Sequence, residues 1–429
     1  MSFIDFVSDY IVNSRVAKNN SKRRGVVYYR RGTVAGFTDD NQCQMHTLVS
    51  GGSAGIRSEV LANLCITASN HNIPTLILHQ GDHELEQLLA DVYINRPDYL
   101  NIGPGNHKLD PFSYTDPAAI HKLILDSAPD KFNITADGSE YINSLVSFLV
   151  YRGRNVTLQK LVRCPFASMP QILSSQSLLQ IIPYNKLQSL QSSIAAGQKE
   201  SSHIKSYLEE LYDECRLLLP PSKTVPSVNL ADALLKPGIV SLDVVSDCNN
   251  LLLRLLCSQI KMLNKSSIPL LLIVDNLSLS AANGLQELCT MRSDRYYNAI
   301  SGDDLYAMCR SSKELFNQLL GVSSKWFIFR HNSGSSVVPW SNAFSTYQKV
   351  DTTSSYGRNK ESSSGVMFPH TFHLGSGGGI NHGYSYNNKD EAVLQVEEVQ
   401  NLSERGGIVY SFAQNEIAVV KRFLPFSFQ

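Results

Sequence analysis

Between residues 46 and 79 the sequence reads as strand, glycine-rich loop, helix and strand, and no other stretch constrains the fold as tightly. His46–Val49 is a short β-rich run, and Ser50-Gly-Gly-Ser-Ala-Gly-Ile-Arg-Ser58 follows it as a loop. Ala54–Ser69 has Val60, Leu61, Leu64 and Ala68 on one helical face, and Pro74-Thr-Leu-Ile-Leu-His79 is a buried-type strand. Asp82 stands where a cap should open the next helix, through Glu84–Leu89. Two strands joined through a helix begin a parallel α/β sheet. The pattern resumes at Gly238-Ile-Val-Ser-Leu242, with helices expected over 248–263, near 281–290 and over 304–320, and strands over 269–274, 296–300 and 325–330.

Between these two halves strand signals nearly vanish. Residues 118–126, 139–152, 158–162, 171–182, 187–196 and 204–219 are helical in period, so 111–225 reads as an all-helical, separable insertion marked by Pro111, Pro220 and Pro221. The expected organisation is an N-terminal arm (1–45), a first α/β part (46–110), the insertion, and a second α/β part (226–429). The arm carries Phe3, Ile4, Phe6, Val7, Tyr10 and Ile11 at near-helical spacing, as a docking helix or one packed on its own domain. Residues 352–388, rich in Ser, Gly, Asn and Tyr, lack the apolar content that offsets ordering entropy and read as a flexible loop.

Composition narrows the function classes. With 43% apolar residues in 429 the chain can bury a core, and 38 basic against 38 acidic residues leave no chain-wide field for DNA or an anionic membrane. The eight cysteines show no CxxC and no zinc-type spacing, so they read as reduced, buried residues. No apolar run approaches the ~18 residues of a membrane span, and no signal peptide opens the chain. A cytoplasmic protein is expected.

The loop at 50–58 lies where a phosphate-binding loop belongs. In G-x-x-x-x-G-K-[ST], backbone N–H groups and a helix N-terminus cradle phosphate, Lys bridges phosphates and Ser/Thr ligates Mg²⁺. Gly51 and Ser58 fit that form, whereas Ile56 replaces the last glycine and Arg57 the lysine. Gly51, Gly52, Gly55, Arg57 and Ser58 are therefore candidate nucleotide contacts, the other reading being a Gly/Ser turn capping a helix. Leu270-Leu-Leu-Ile-Val-Asp275 has the form of a strand whose terminal aspartate holds Mg²⁺ with Ser58, or of an ordinary buried strand with a capping Asp. Asn276 follows where a carboxylate would polarise the attacking water. A neutral amide is no general base, and a factor of ~10²–10⁴ in rate would be missing.

In order and architecture the stretch 45–429 resembles the type IV coupling proteins of conjugation and type IV secretion (TraG/TraD-like), within the FtsK/HerA branch of RecA-like motor ATPases. The residues carrying this are the loop at 50–58, strand 74–79, Asn101-Ile-Gly-Pro-Gly-Asn-His-Lys-Leu-Asp-Pro111 leading into the helices, strand 270–275, and the closing segments Gly383-Tyr-Ser-Tyr386, Glu397–Leu402 and Gly407-Ile-Val-Tyr410. The resemblance implies a RecA-like P-loop NTPase fold, a mostly parallel sheet flanked by helices with an all-helical inserted domain. It also implies ATP and Mg²⁺ as ligands, and an arginine acting in trans on a neighbour's nucleotide, matched by Arg292 in Met291-Arg-Ser293. The family's γ-phosphate-sensing glutamine has no counterpart in Ile300-Ser-Gly-Asp-Asp304. With Ile56, Arg57, Asn276 and the missing glutamine all altered, the resemblance points to a degenerate member. Its implied partners are conjugation or secretion components, a DNA or protein substrate and a hetero-oligomer with an active paralogue. The family's membrane anchor finds no match, leaving a place at the inner face of the membrane as peripheral.

Three further groups stand out. His79, Asp82, His83 and Glu84 read as a metal cluster or a solvated loop and helix start. His370, His373 and His382 flank the glycine-rich stretch, as weak metal ligands or a polar loop. Arg152, Arg154, Lys160 and Arg163 form a local basic group that meets a substrate or simply faces solvent.

Overall fold

The computed structural model describes residues 3–93, 98–113, 115–221, 225, 227–244, 250–264, 268–280, 282–359 and 379–426. The chain begins with α1 (Phe3–Arg24), β1 (Val26–Tyr29), β2 (Thr47–Ser50), α2 (Ala54–Asn70), β3 (Thr75–His79), α3 (His83–Val92), β4 (Tyr99–Ile102) and β5 (Lys108–Leu109). Helices follow: α4 (Pro117–Ser127), α5 (Ala136–Tyr151), α6 (Leu158–Val162), α7 (Met169–Leu173), α8 (Tyr184–Gly197) and α9 (Ser201–Cys215). Then come β6 (Ser227–Val228), α10 (Leu230–Leu234), β7 (Ile239–Asp243), α11 (Leu251–Asn264), β8 (Leu270–Asp275), α12 (Asn283–Thr290), β9 (Tyr296–Gly302), α13 (Leu305–Met308) and α14 (Lys313–Val322). The chain closes with β10 (Lys325–Phe329), α15 (Gly334–Ala343), β11 (Thr346–Asn359), β12 (Gly379–Ala392), α16 (Val396–Gln400), β13 (Gly407–Ser411) and β14 (Glu416–Val420).

Ten strands form one sheet in the order β1-β14-β13-β10-β2-β9-β8-β3-β7-β4. From β10 to β4 every pairing is parallel, and the antiparallel contacts are those of β13 with β10 and β14. Both faces are covered, which explains the unbroken apolar text of the central strands. In β8, Leu270, Leu272 and Val274 enter one core, while Leu271 and Ile273 enter the core on the opposite face with Val60, Leu61 and Leu64 of α2.

Helices α4–α9 fill 117–215, and no strand interrupts the described residues there. Their base is closed by the two-residue parallel pair β5–β6, Lys108 with Ser227 and Leu109 with Val228. Their core is continuous with that of the sheet: Tyr141, Leu208 and Leu211 share one cluster with Leu252, Leu256 and Ile260 of α11. Glu214 of α9 accepts the N–H groups of Leu251 and Leu252, satisfying first-turn donors of α11.

Four expectations change. The helix read over 304–320 is two helices, because Arg310 and Ser311 take left-handed backbone (φ 51° and 56°) and Ser312 caps α14 by accepting from Leu315 N–H. The segment 171–182 breaks into α7 and a 3-10 turn at 176–180, and the arm's helix, α1, runs on past Ile11 to Arg24. The described parts of 352–388 are not loop. β11 and β12 pair over their whole length, from Thr346 with Ala392 to Asn359 with Gly379, because Thr, Val and Tyr favour extended backbone even without an apolar face. Gly375–Gly378, His370 and His373 lie outside the described residues.

Candidate nucleotide site

The parallel strands end in register, and that register assembles the site. Ser50 lies opposite Gly302, Asp275 opposite Ser301, and His79 opposite both Asp275 and Asp243, so polar residues line the carboxyl ends of β2, β9, β8, β3 and β7. That edge is where open α/β sheets bind ligands.

The loop after β2 turns on Gly51 and Gly52, both with positive φ (82° and 71°). A Cβ at Gly51 would come within 2.8 Å of the His331 ring, and one at Gly52 within 2.8 Å of Phe329 Cβ, so the close approach requires glycine at both. The N–H of Gly51 donates to Gly302 O (3.0 Å) and that of Gly52 to Arg330 O (2.8 Å), anchoring the loop between β9 and β10. Ser53 is the N-cap of α2 and makes no side-chain cap bond, so the helix opens on its own first-turn N–H groups.

Arg57, which replaces the loop lysine, is 3% exposed. Its Nη1 donates to the carbonyls of Gly51 (3.3 Å) and Gly52 (3.0 Å), and its Nη2 pairs with Asp303 at 2.6 Å. Arg57 Nε is buried without a partner. The guanidinium thus braces the loop from inside while an exposed carboxylate neutralises it. A second carboxylate, Glu84, lies so near the first turn of α2 that a Cβ on Gly55 would meet its Oε2 at 2.6 Å. Ile56 is fully buried in the core with Val60 and Leu61. Its β-branched side chain, standing where the motif has its last glycine, packs inward.

Ser58 Oγ donates to Ala54 O (2.8 Å) and to Asp82 Oδ2 (3.0 Å). Asp82 is also the cap of α3, accepting from Leu85 N–H (3.0 Å), and its own N–H donates to His79 Nδ1 (3.2 Å). Asp275 is 2% exposed and its Oδ1 has no hydrogen-bond partner. Burial first, and the neighbouring Asp82 second, push its carboxyl up to about 7 against the opposing pull of Ser301 and Arg57. Beside it, Asn276 is exposed in left-handed backbone (φ 54°), held by its N–H on Ser301 O (2.8 Å). His331 completes the rim. Burial holds its imidazole below its usual range, and its Nε2 lies 3.2 Å from Ser50 Oγ, which already accepts from Leu305 N–H.

The donor set Ser58, Asp82 and Asp275, with one buried carboxylate oxygen unpaired, fits a divalent cation: two carboxylates and a hydroxyl are hard oxygen ligands. The glycine cradle fits a phosphate, but a nucleotide would have to displace Asp303 from Arg57 and tolerate Glu84 at Gly55. Were Mg²⁺ bound, Ser58 and Asp275 would hold it, and it would neutralise phosphate charge.

Arg292 is not part of this constellation. It is exposed between α12 and β9 and donates through Nη2 to Gly321 O; at the start of β2 the half-buried His46 imidazole is held low by desolvation, with a smaller push from Arg292. That is the amino end of the sheet, roughly 20 Å from the loop over the seven residues of β9. Among the described residues no metal-type group of three His, Cys, Asp or Glu forms, so the cluster read from His79, Asp82, His83 and Glu84 does not assemble. Seven cysteines are buried and unpaired, and no described helix is long and apolar enough to cross a membrane. Sequence reading singled out Asp82 as a cap and missed Asp303, His331 and Ser50. Asp303 lies in the very segment searched for a glutamine, and nothing local marks His331.

No protein-family model matches the chain, and no curated protein does. Solved structures do. The plasmid coupling protein TrwB in complex with the ATP analogue ADPNP has TM-score 0.54 at 14% identity, over 95% of this chain and 92% of that one. TrwB with ADP and Mg²⁺ gives 0.51 at 13% over 95% and 92%, and an unbound form of the same conjugative coupling protein 0.52 at 13% over 93% and 89%. The chain therefore has the RecA-like α/β fold of the bacterial conjugative coupling proteins, with a mostly parallel sheet flanked by helices.

Proposed function

We propose that this chain is a degenerate, coupling-protein-like subunit of a conjugation or type IV secretion system, with a structural or substrate-recruiting role and slow or absent ATP hydrolysis. The observation that carries this is Arg57: in the lysine's place stands a guanidinium already bound to two loop carbonyls and Asp303. Asn276 supplies no carboxylate beside Asp275, which removes the water-polarising group. The reading places the protein peripherally at the inner face of the membrane, against secretion components and a DNA or protein substrate. An active paralogue would complete its ring.

A second reading has its own support. Asp82 brings a carboxylate from the neighbouring strand end to Ser58 and Asp275, so the site keeps two acids despite Asn276, as an ATP-driven DNA translocase would need. Nucleotide binding and hydrolysis by the purified chain, with and without DNA, separate the two. Negligible turnover supports the first reading. Motor-rate turnover abolished by Asp82→Asn and Asp275→Asn establishes the second.

A further inference from the structure

Outside the nucleotide site, and sharing no residue with it, a cavity lies where the helices meet the sheet domain. It measures about 740 Å³, between the end of α5, helix α6, the turn after it and the chain returning past Leu219 toward β6. That volume lies in the range of small-ligand sites.

Its charge is one-sided. Arg152, Arg154, Lys160 and Arg163 line it against one carboxylate, Asp110. That carboxylate is committed elsewhere: buried, it accepts the N–H groups of Phe112 (3.0 Å), Ser113 (3.2 Å) and Leu158 (3.1 Å). Lys160 Nζ is turned to the Asn155 carbonyl. Among the described residues no ion pair and no side-chain hydrogen bond engages Arg152, Arg154 or Arg163, and all three are exposed. Arg152 instead rests its guanidinium 5.6 Å from the Phe148 ring centroid.

A neutral chain places these forks here locally rather than as part of a general positive surface. Arginine presents planar, bidentate N–H pairs that match phosphate oxygens, and several around one concavity select multiply charged anions. The lining also includes apolar Leu149, Ile172 and Leu219 with half-buried Tyr212, which suits one flat ring or hydrocarbon group beside the charges. Among the described residues no histidine lines the cavity, and burial pushes the Cys164 thiol up to about 11, so these walls offer neither an imidazole base nor an ionised thiol. It is built to bind rather than to react.

We propose that this cavity is a binding site for a small, multiply phosphorylated ligand of nucleotide size, held by Arg152, Arg154 and Arg163. A ligand there would touch both the helices and Val225 and Ser227 beside β6, and so clamp the junction between helical and sheet parts.

The test is calorimetric titration of the full chain with sodium tripolyphosphate, and with ADP in EDTA, at low salt. Saturable one-to-one tripolyphosphate binding is expected, weakened about tenfold by Arg152→Ala or Arg163→Ala and more by both, with Arg152→Lys intermediate. Arg57→Ala should leave this binding in place, and phosphate-free adenosine should not compete. Exposed arginines leave folding intact, which unchanged melting of the variants verifies. Three results would overturn the proposal: no saturable binding of either probe, binding lost with Arg57→Ala but indifferent to the cavity arginines, or arginine-dependent binding of a single-stranded oligonucleotide that tripolyphosphate cannot displace. The last would assign the arginines to a nucleic-acid backbone.

Discussion

Under the proposed reading, Arg57 and Asp303 set the competence of the loop. Because Asp303 is exposed, Asp303→Asn should leave folding unchanged while releasing the guanidinium, and affinity for a non-hydrolysable ATP analogue should rise several-fold. Unaltered affinity would mean that the ion pair does not gate the loop. Restoring the usual glycine is a different matter. Ile56 is core, so Ile56→Gly combines a buried cavity with a helical glycine and should cost about 3–5 kcal/mol in urea unfolding without improving nucleotide binding. From sequence alone Ile56 and Arg57 look like two defects of one motif; only the direction of each side chain separates a packing residue from a bracing one. Asp275 adds a pH signature. Its carboxyl titrates near 7 in the fold and near 4 in the unfolded chain, so the folded state holds a proton the unfolded state has lost, and stability falls as pH rises from about 4 through about 7. In EDTA, Asp275→Asn should match wild type at pH 4 and melt several degrees higher at pH 8. Coincident melting at pH 8 would show that the buried carboxyl carries no such cost.

The elements most legible in the sequence are those whose partners are fixed by apolar pattern. β3 and β8 read directly, since runs such as Leu76–Leu78 and Leu270–Val274 can only be covered on both faces. The α13–α14 break was hidden because Arg310 and Ser311 carry no glycine or proline to announce a left-handed turn. The β11–β12 ribbon was hidden because its ladder depends on backbone pairing, to which a hydrophobicity reading is blind. Helix crossings are equally illegible, and Gly197 is the sharpest case. At the crossing of α8 on α5 a Cβ would fall 2.5 Å from Asp137 O and 2.6 Å from Tyr141 Cβ, so neither side can yield cheaply. Gly197→Ala should therefore destabilise by about 1–3 kcal/mol despite alanine's better helix propensity. A neutral or raised denaturation midpoint would show that the two helices do not approach so closely.

At the scale of the molecule, the helices and the sheet share a core through α11, so excising 111–225 should leave a cooperatively unfolding sheet domain with a lower midpoint and new dye-binding apolar surface, rather than an unperturbed one. Assembly is the larger question, and Arg292 carries it. It sits at the amino end of the sheet, far from its own loop, so any action on a nucleotide must be on that of a neighbouring subunit. Its one hydrogen bond among the described residues, to Gly321 O at the end of α14, is exposed, and losing it should change stability by less than about 1 kcal/mol. An arginine reaching a neighbour's phosphates contributes ~10³–10⁵ in rate in other phosphoryl-transfer systems. In the intact conjugation or secretion system Arg292→Ala should then depress transfer far more than Arg57→Ala, with purified Arg292→Ala melting near wild type. If transfer survives Arg292→Ala and is lost with Arg57→Ala, this chain works through its own loop and the mixed ring has no basis.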